Sequence, residues 1–299
     1  MTLPDFLVIG AYKAGTTSLH EYLRSHPQVF VPERKEPSFF AFDQVRDPEA
    51  ERRLNPVWSM AVRDLETYEK LFDPARPDQV VGEVSPEYLK HPDAPAAIAA
   101  RLGQVRLLAV LRDPAERAYS DFLMYRRDGR EDTDDFSVAL DRQEQRRAAG
   151  MATGQYVCTG FYGEQLSRYY AHFAPDRIKV VLSEDLRDDR DRVVTEVFGV
   201  LGVDPSFQVG AEGLNRSGVP VDGAVRAAYA ARRWLAPVLR DVVPQRWKRR
   251  VDSRLQRGLE RPVPPPQAMA RLRDVYREDV ARLERLIGRD LAAWRATAG

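Results

Sequence analysis

One short segment combines small residues, a lysine and two hydroxyls in a pattern suited to binding an anion. It reads Gly10-Ala-Tyr-Lys-Ala-Gly-Thr-Thr17. Gly10 and Gly15 let the backbone turn tightly and approach a charged group closely. Lys13 supplies a positive charge, and the helix predicted to follow points free N–H groups at the same place. The segment therefore predicts a site for a phosphate-like anion. The alternative without a ligand is an ordinary strand-to-helix turn with a surface lysine.

The spacing differs from that of a nucleoside-triphosphate P-loop. That loop places a lysine directly after its second glycine, whereas Thr16 follows Gly15 here and the lysine lies at position 13. The dinucleotide-binding pattern Gly-x-Gly-x-x-Gly also fails, because residue 12 is a tyrosine. A kinase-like P-loop enzyme is therefore disfavoured.

A second suggestive segment is Leu107-Leu-Ala-Val-Leu-Arg-Asp-Pro-Ala-Glu-Arg-Ala-Tyr-Ser120. Its apolar half predicts a buried strand, and Asp113 followed by proline predicts the first turn of a helix. Arg112 then lies at the carboxyl end of the strand, where open α/β sheets bind ligands. A guanidinium there can hold a phosphate through two N–H groups. Pairing with Asp113 or capping of the sheet edge is the structural alternative for Arg112.

The elements that position these segments alternate between strands and helices. Short apolar runs predict strands at 3–9, 79–84, 105–111 and 178–182. Helices are predicted at 17–25, 65–72, 92–102, 114–127, 134–149, 162–173, 190–201 and 267–286. This alternation indicates an α/β fold with a mainly parallel central sheet flanked by helices. We expect one domain over residues 1–299, with 219–266 a variable basic segment and 267–299 a C-terminal helix packed on the domain.

Composition excludes several classes of protein. The chain has 299 residues, 43% hydrophobic and 30% charged, with a net charge of +1, which is typical of a soluble globular protein and does not suggest a nucleic-acid binder. A single cysteine, Cys158, excludes an intrachain disulfide framework and a multi-cysteine zinc site. Because no apolar run approaches 18 residues, we expect no transmembrane segment and a cytoplasmic location.

Together these motifs resemble a known family. The first segment, continued by Leu19, Tyr22 and His26-Pro27, resembles the start of sulfotransferases that use 3′-phosphoadenosine-5′-phosphosulfate (PAPS). The stretch Lys35-Glu-Pro-Ser-Phe-Phe40 resembles the carbohydrate branch, including heparan sulfate sulfotransferases and their bacterial relatives. The resemblance implies a P-loop-like sulfotransferase fold, PAPS as the sulfuryl donor, no metal, and a small-molecule or carbohydrate acceptor.

The resemblance also assigns donor-binding roles. The first loop would hold the 5′-phosphosulfate, through Lys13, Ala14, Gly15, Thr16 and Thr17. Arg112 and Ser120 would hold the 3′-phosphate. The stretch Leu214-Asn-Arg-Ser-Gly218 resembles the loop that closes over the adenosine bisphosphate, which implies contacts from Arg216, Ser217 and Gly218.

Three residues are candidates for the chemistry of transfer. Lys13 is suited to stabilise the bridging oxygen of the leaving group. Glu36 matches the family's catalytic glutamate and is the candidate general base, with a surface pair to Lys35 or Arg34 as the alternative. Glu83 is a second base or a group that orients Lys13. Val84 follows it where the heparan-type pattern has lysine, which argues against a strongly anionic acceptor.

The acceptor is predicted as a glycan, a glycosylated natural product or a lipid hydroxyl. Segments 43–78, 128–155 and 219–266 are expected to shape its pocket. Residues 225–261 carry eleven Arg and Lys against three Asp and Glu, which favours a solvated helical face or a patch for an anionic acceptor or a membrane. A non-catalytic adenosine-bisphosphate binder, or a membrane or nucleic-acid adaptor using this patch, is the alternative outside enzymes.

Overall fold

A five-stranded parallel sheet forms the centre of the molecule. The computed structural model describes residues 2–43, 45, 47–55, 57–151, 154–210, 218–220, 225, 229 and 258–296. The strands are β1 (Phe6–Gly10), β2 (Val29–Phe30), β3 (Val80–Val84), β4 (Arg106–Leu111) and β5 (Ile178–Leu182). Their order is β2-β3-β1-β4-β5, and every neighbouring pair is parallel. The predicted α/β fold with a mainly parallel sheet is confirmed.

Helices connect and flank the strands. They are α1 (Thr16–Ser25), α2 (Phe39–Phe42), α3 (Pro48–Leu54), α4 (Leu65–Lys70), α5 (Glu87–Lys90), α6 (Ala94–Leu102), α7 (Pro114–Arg127), α8 (Phe136–Ala148), α9 (Tyr162–Tyr170), α10 (Ser183–Asp188), α11 (Arg190–Leu201), α12 (Pro266–Ile287) and α13 (Ala292–Arg295). Two 3₁₀ turns cover Cys158–Gly160 and Pro175–Arg177. Among the described residues, no helix is long and apolar enough to cross a membrane.

Close packing explains the glycine in the middle of β3. Phe6 of β1 lies opposite Gly82 of β3, and a Cβ on Gly82 would lie 2.3 Å from the Phe6 ring. The Phe6 side chain is fully buried. The glycine therefore leaves room for an aromatic ring from the neighbouring strand.

The sheet order creates a crevice between β1 and β4. The chain leaves β1 toward β2 through α1, and it leaves β4 toward β5 through α7, so the two connections diverge. In parallel sheets ligands bind at such a switch point, beyond the carboxyl ends of the strands. The N–H of Ala11 donates to the carbonyl of Val110 at 2.6 Å, which holds the loop after β1 against β4.

The C-terminal part packs on the sheet-flanking helices. Helix α12 lies against α9 and α7. Its Asp279 carboxylate accepts hydrogen bonds from the N–H groups of Gly163 (2.7 Å) and Glu164 (2.8 Å), in the first turn of α9. Before α12, two short strands, β6 (Val219–Pro220) and β7 (Leu259–Glu260), pair antiparallel beside α7. One domain over residues 1–299 stays a prediction.

Candidate active site

The loop between β1 and α1 has the backbone geometry of an anion site. Gly15 precedes α1 in the left-handed conformation, with φ of 107°, which favours glycine. Helix α1 has no acidic residue in its first turn, so nothing there opposes a bound anion. The first-turn residues line a cavity of about 1010 Å³. The loop at the switch point is therefore compatible with the predicted anion site, which stays a prediction.

Lys13 is poised for a ligand within this loop. Its side chain is half-buried and lines the cavity, and its backbone adopts a φ of 64°. Within the described part of the chain, no side chain forms a hydrogen bond or ion pair with its ammonium. Burial lowers the pKa of Lys13 to about 8, and the Asp121 carboxylate offsets part of that shift. A bound anion would supply the missing partner.

Arg112 joins this loop to β4. It directly follows β4, one guanidinium nitrogen donates to the carbonyl of Lys13 at 3.3 Å, and the other donates to the Glu116 carboxylate at 3.1 Å. Asp113 caps α7 by accepting from the N–H groups of Ala115 (2.8 Å) and Glu116 (3.3 Å), as the sequence predicts. Arg112 pairs with Glu116 and not with Asp113, because the side chain of Asp113 is occupied at the helix start.

Glu36 approaches the same cavity from the other side. Its N–H donates to the carbonyl of Val84 at the end of β3, at 3.1 Å, and its carboxylate lines the cavity. The Lys35 ammonium lies 3.3 Å from a carboxylate oxygen of Glu36 and donates to the Thr17 hydroxyl at 2.5 Å. The pair with Lys35 therefore exists, and Lys35 connects it to the first turn of α1.

Glu83 does not line the cavity. Its side chain is 1% exposed, and hydroxyls donate to it from Ser85 (2.6 Å), Tyr88 (2.5 Å) and Tyr68 (3.1 Å). Burial raises the pKa of Glu83 to about 7, and these hydrogen bonds limit the rise. Ser85 and Tyr88 also accept from the N–H groups of Ser38 (2.9 Å) and Phe40 (3.4 Å). Glu83 thus anchors the loop that carries Glu36, and no described contact joins it to Lys13.

The predicted donor residues separate into three groups. Five of them line the cavity: Lys13, Gly15, Thr16, Thr17 and Arg112. Ala14, Ser120 and Gly218 are buried and do not line it, so their roles stay predictions. A Cβ on Gly218 would lie 2.5 Å from the Glu260 carbonyl, which reflects the close approach of β6 and β7. Arg216, Ser217 and most of the basic segment 225–261 lie outside the described residues.

Sequence reasoning missed several residues of the cavity wall. They include Tyr12, Lys90, Asp121, Tyr125, Arg187 and Arg261. For Arg187 a signal was available, because Ser183–Asp188 directly follows β5 as Arg112 follows β4. The segments expected to shape the acceptor pocket do contribute to the wall: Val57, Ser59 and Met60 from 43–78, Asp128, Arg130 and Gln155 from 128–155, and Leu259 and Arg261 from 219–266.

Comparison with known proteins finds similar sulfotransferases. A stretch of 203 residues, 67% of this chain and 46% of the relative, is 29% identical to mouse heparan sulfate glucosamine 3-O-sulfotransferase 3B1. A stretch of 125 residues, 41% of this chain and 23% of the relative, is 30% identical to membrane-associated sulfotransferase kil1 of Dictyostelium discoideum. The chain spans less than half the length of these two relatives.

A solved structure is similar over nearly the whole chain. The crystal structure of a sulfotransferase from Alicyclobacillus acidocaldarius superimposes with a TM-score of 0.75 and 28% sequence identity, covering 99% of this chain and 100% of the other. Residues 3–216 match the family described as Sulfotransferase domain. Because the family match covers most of its length and the solved structure shares its fold, the chain belongs to the sulfotransferase domain family.

Proposed function

We propose that this protein transfers the sulfuryl group of PAPS to an acceptor hydroxyl. One observation carries the proposal: the Lys13 ammonium, which has no side-chain partner among the described residues, lines one cavity together with the start of α1 and Arg112, at the ends of adjacent strands β1 and β4. These groups suit a ligand with separate anionic groups. A cavity of about 1010 Å³ is large enough for a nucleotide and part of an acceptor.

The reaction needs positioning and charge stabilisation more than covalent catalysis. Glu36 accepts the proton of the acceptor hydroxyl while the oxygen of that hydroxyl forms a bond to sulfur. The bond between sulfur and the bridging phosphate oxygen breaks, and adenosine 3′,5′-bisphosphate leaves. Lys13 stabilises the negative charge that develops on that oxygen. Thr16 and Thr17 hold the other oxygens of the 5′-phosphosulfate.

Donor recognition is tested by comparing two nucleotides. Arg112→Ala removes a charge-assisted contact worth about 1.5–3 kcal/mol, so it should weaken adenosine 3′,5′-bisphosphate binding about 10-fold or more. AMP lacks the 3′-phosphate and should lose little. Equal losses for both nucleotides, measured by titration calorimetry, would contradict the assigned role of Arg112.

A kinase-like P-loop activity is the rival enzyme class. Turnover of PAPS should survive exhaustive chelation, because Lys13 and backbone N–H groups supply the positive charge. Loss of all activity in EDTA, restored by Mg²⁺, would favour the kinase-like activity instead.

The acceptor wall suits a neutral or weakly charged hydroxyl compound. The cavity wall includes two aspartates, Asp121 and Asp128, two cations, Lys90 and Arg130, and two tyrosines, Tyr12 and Tyr125. Val84 is uncharged, whereas the heparan-type pattern has a lysine at this position. We propose a glycan, a glycosylated natural product or a lipid as the acceptor, to be identified by screening with radiolabelled PAPS. Tight PAPS binding without turnover of any acceptor would favour a non-catalytic binder. The cytoplasmic location stays a prediction.

A further inference from the structure

The direction of the hydrogen bond between Lys35 and Thr17 follows from the chemistry of the two groups. The Lys35 ammonium lies 2.5 Å from the Thr17 hydroxyl, and an ammonium has three N–H donors and no acceptor. Thr17 therefore accepts in this bond, and its own O–H points elsewhere. Within the described part of the chain, no acceptor takes that O–H. Because Thr17 lines the cavity, its proton is available to a ligand there.

The backbone at Glu36 lets two neighbouring side chains meet. In an extended chain successive side chains point to opposite sides, yet the Lys35 ammonium lies 3.3 Å from Oε1 of Glu36. Glu36 has a left-handed φ of 59°, which is uncommon outside glycine and persists where the surrounding structure holds it. The N–H of Glu36 donates to the Val84 carbonyl, and the N–H of Val62 donates to the Pro37 carbonyl at 2.8 Å. The backbone that carries the Glu36 carboxylate is therefore held by two other segments.

Lys35 contacts two residues of the cavity wall without lining the cavity itself. It occupies Oε1 of Glu36, whereas Oε2 has no partner among the described residues. The two side chains are 27% and 30% exposed, and an ion pair this exposed contributes little to folding stability. We therefore look for the effect of Lys35 in the position of the Glu36 carboxylate.

We propose that Lys35 is a positioning residue, which holds the Glu36 carboxylate beside the first turn of α1 and leaves one of its oxygens available for the acceptor's proton. This inference rests on the proposed function, since it concerns the same transfer. Lys35 acts through Thr17 and Glu36 and touches neither donor nor acceptor. Because catalysis depends on the placement of the base more steeply than binding does, the loss of Lys35 lowers turnover more than donor affinity.

The first test separates turnover from donor binding. Turnover is the transfer of label from radiolabelled PAPS to an acceptor found by the screen, and donor affinity is the dissociation constant for adenosine 3′,5′-bisphosphate. Lys35→Met should lower kcat about 10–100-fold and change that constant less than about 3-fold. Lys35→Arg keeps a charge and N–H donors, so its kcat should lie within about 5-fold of the wild type. A normal kcat in Lys35→Met, or equal losses of kcat and affinity, would overturn the proposal.

A matched control removes a lysine elsewhere in the molecule. The Lys179 side chain is 30% exposed, pairs with Glu196 at 2.7 Å and does not line the cavity. Lys179→Met should keep normal kcat and normal affinity, and its melting temperature should be close to that of Lys35→Met. A loss of turnover in Lys179→Met as large as that in Lys35→Met would contradict a specific role for Lys35. If Lys35→Met does not fold, Lys35→Gln replaces it, because an amide also lacks the charge.

A double variant tests whether Lys35 acts through Glu36. Losses from two independent residues multiply, whereas losses from residues that act as one unit do not. In the Glu36→Gln background, Lys35→Met should lower kcat less than about 3-fold further. The same factor in both backgrounds would show that Lys35 acts on another step, and the proposal would fail.

These outcomes distinguish the failure of this inference from failure of the proposed function. A wild type that transfers no label to any acceptor would contradict the proposed function, and the role of Lys35 would fail with it. Normal turnover in Glu36→Gln would overturn the role of Lys35 while PAPS stays the donor. A wild type and a Glu36→Gln variant that behave as expected, beside an unaffected Lys35→Met variant, would contradict only the role of Lys35.

Discussion

The Lys35 ammonium donates to the Thr17 hydroxyl at 2.5 Å and lies 3.3 Å from the Glu36 carboxylate. One side chain therefore connects the first turn of α1 with the carboxylate proposed as the base. Thr17 belongs to the proposed donor side of the cavity, and Glu36 belongs to the proposed acceptor side. The ion pair with Lys35 therefore places the Glu36 carboxylate near the first turn of α1.

Replacing Glu36 tests its assignment as the base. Glu36→Gln preserves size but cannot take the acceptor proton, so turnover should fall about 10²–10⁴-fold. The dissociation constant for the bisphosphate should change less than about 2-fold, because the proposed mechanism places Glu36 on the acceptor side. Glu33→Gln, an exposed carboxylate paired with Arg24, is the control on the same loop and should keep normal turnover.

Glu83→Gln distinguishes the rival base from an anchoring residue. If Glu36→Gln keeps near-normal turnover while Glu83→Gln abolishes it with donor binding intact, Glu83 is the base. Because Glu83 is buried behind Ser85 and Tyr88, we expect its loss to act through the position of the Glu36 loop. The variant should then also lower the melting temperature, which Glu36→Gln should not.

The pH dependence of stability gives a second prediction for Glu83. The folded carboxyl holds its proton up to about pH 7, whereas its ordinary pKa is 4.5. Between these values the folded state binds more protons than the unfolded state, so the free energy of unfolding falls as the pH rises. The contribution is complete below about pH 4.5 and lost above about pH 7, and it amounts to about 2–4 kcal/mol.

Urea unfolding of the wild type and Glu83→Gln at about pH 5 and about pH 7.5 measures this contribution. The wild type should lose more stability than the variant between the two pH values, because the variant has no proton to release at this position. Parallel pH profiles for the two proteins would show that Glu83 does not titrate in this range.

Local sequence predicted the parts of the site that lie within one strand and the turn after it. The glycine spacing around Lys13 fixed the loop before α1, and the strand ending at Arg112 placed that side chain at the sheet edge. Both predictions depend on contacts between residues close in the chain. The start of α7 follows from its Asp113 cap for the same reason.

Contacts between residues far apart in the sequence could not be predicted in this way. Glu83 is buried because Tyr68 and Tyr88 close over it, and no spacing in the sequence brings those tyrosines together. The strand β2 was missed because two residues give no periodic signal. Arg261 reaches Glu116 through the β6–β7 pairing, which depends on segments separated by most of the basic region. The sequence also places Ser120 on α7 without showing that the residue is buried.

The lowered pKa of Lys13 predicts an alkaline limit to activity. In the proposed mechanism the protonated ammonium of Lys13 stabilises the leaving group, so kcat/KM for PAPS should fall as the pH rises through about 8. Lys13→Arg keeps the charge with a much higher pKa and should move this limit to higher pH, even if its rate is lower. Lys90→Arg, another cation of the cavity wall, should leave the limit unchanged. An unchanged limit in Lys13→Arg would assign the titration to another group.

Asp279 should be a main support for docking the C-terminal helix. Its carboxylate accepts from the N–H groups of Gly163 and Glu164 at the start of α9, where no side chain of α9 itself provides a cap. Asp279→Ala leaves both donors near the buried helix contact without partners, which costs about 1–3 kcal/mol of unfolding free energy. Asp274→Ala, an exposed residue of α12 paired with Arg277, should cost less than about 0.5 kcal/mol. Equal urea midpoints for the two variants would mean that α12 docks through its apolar face alone, and that the Asp279 cap adds nothing measurable.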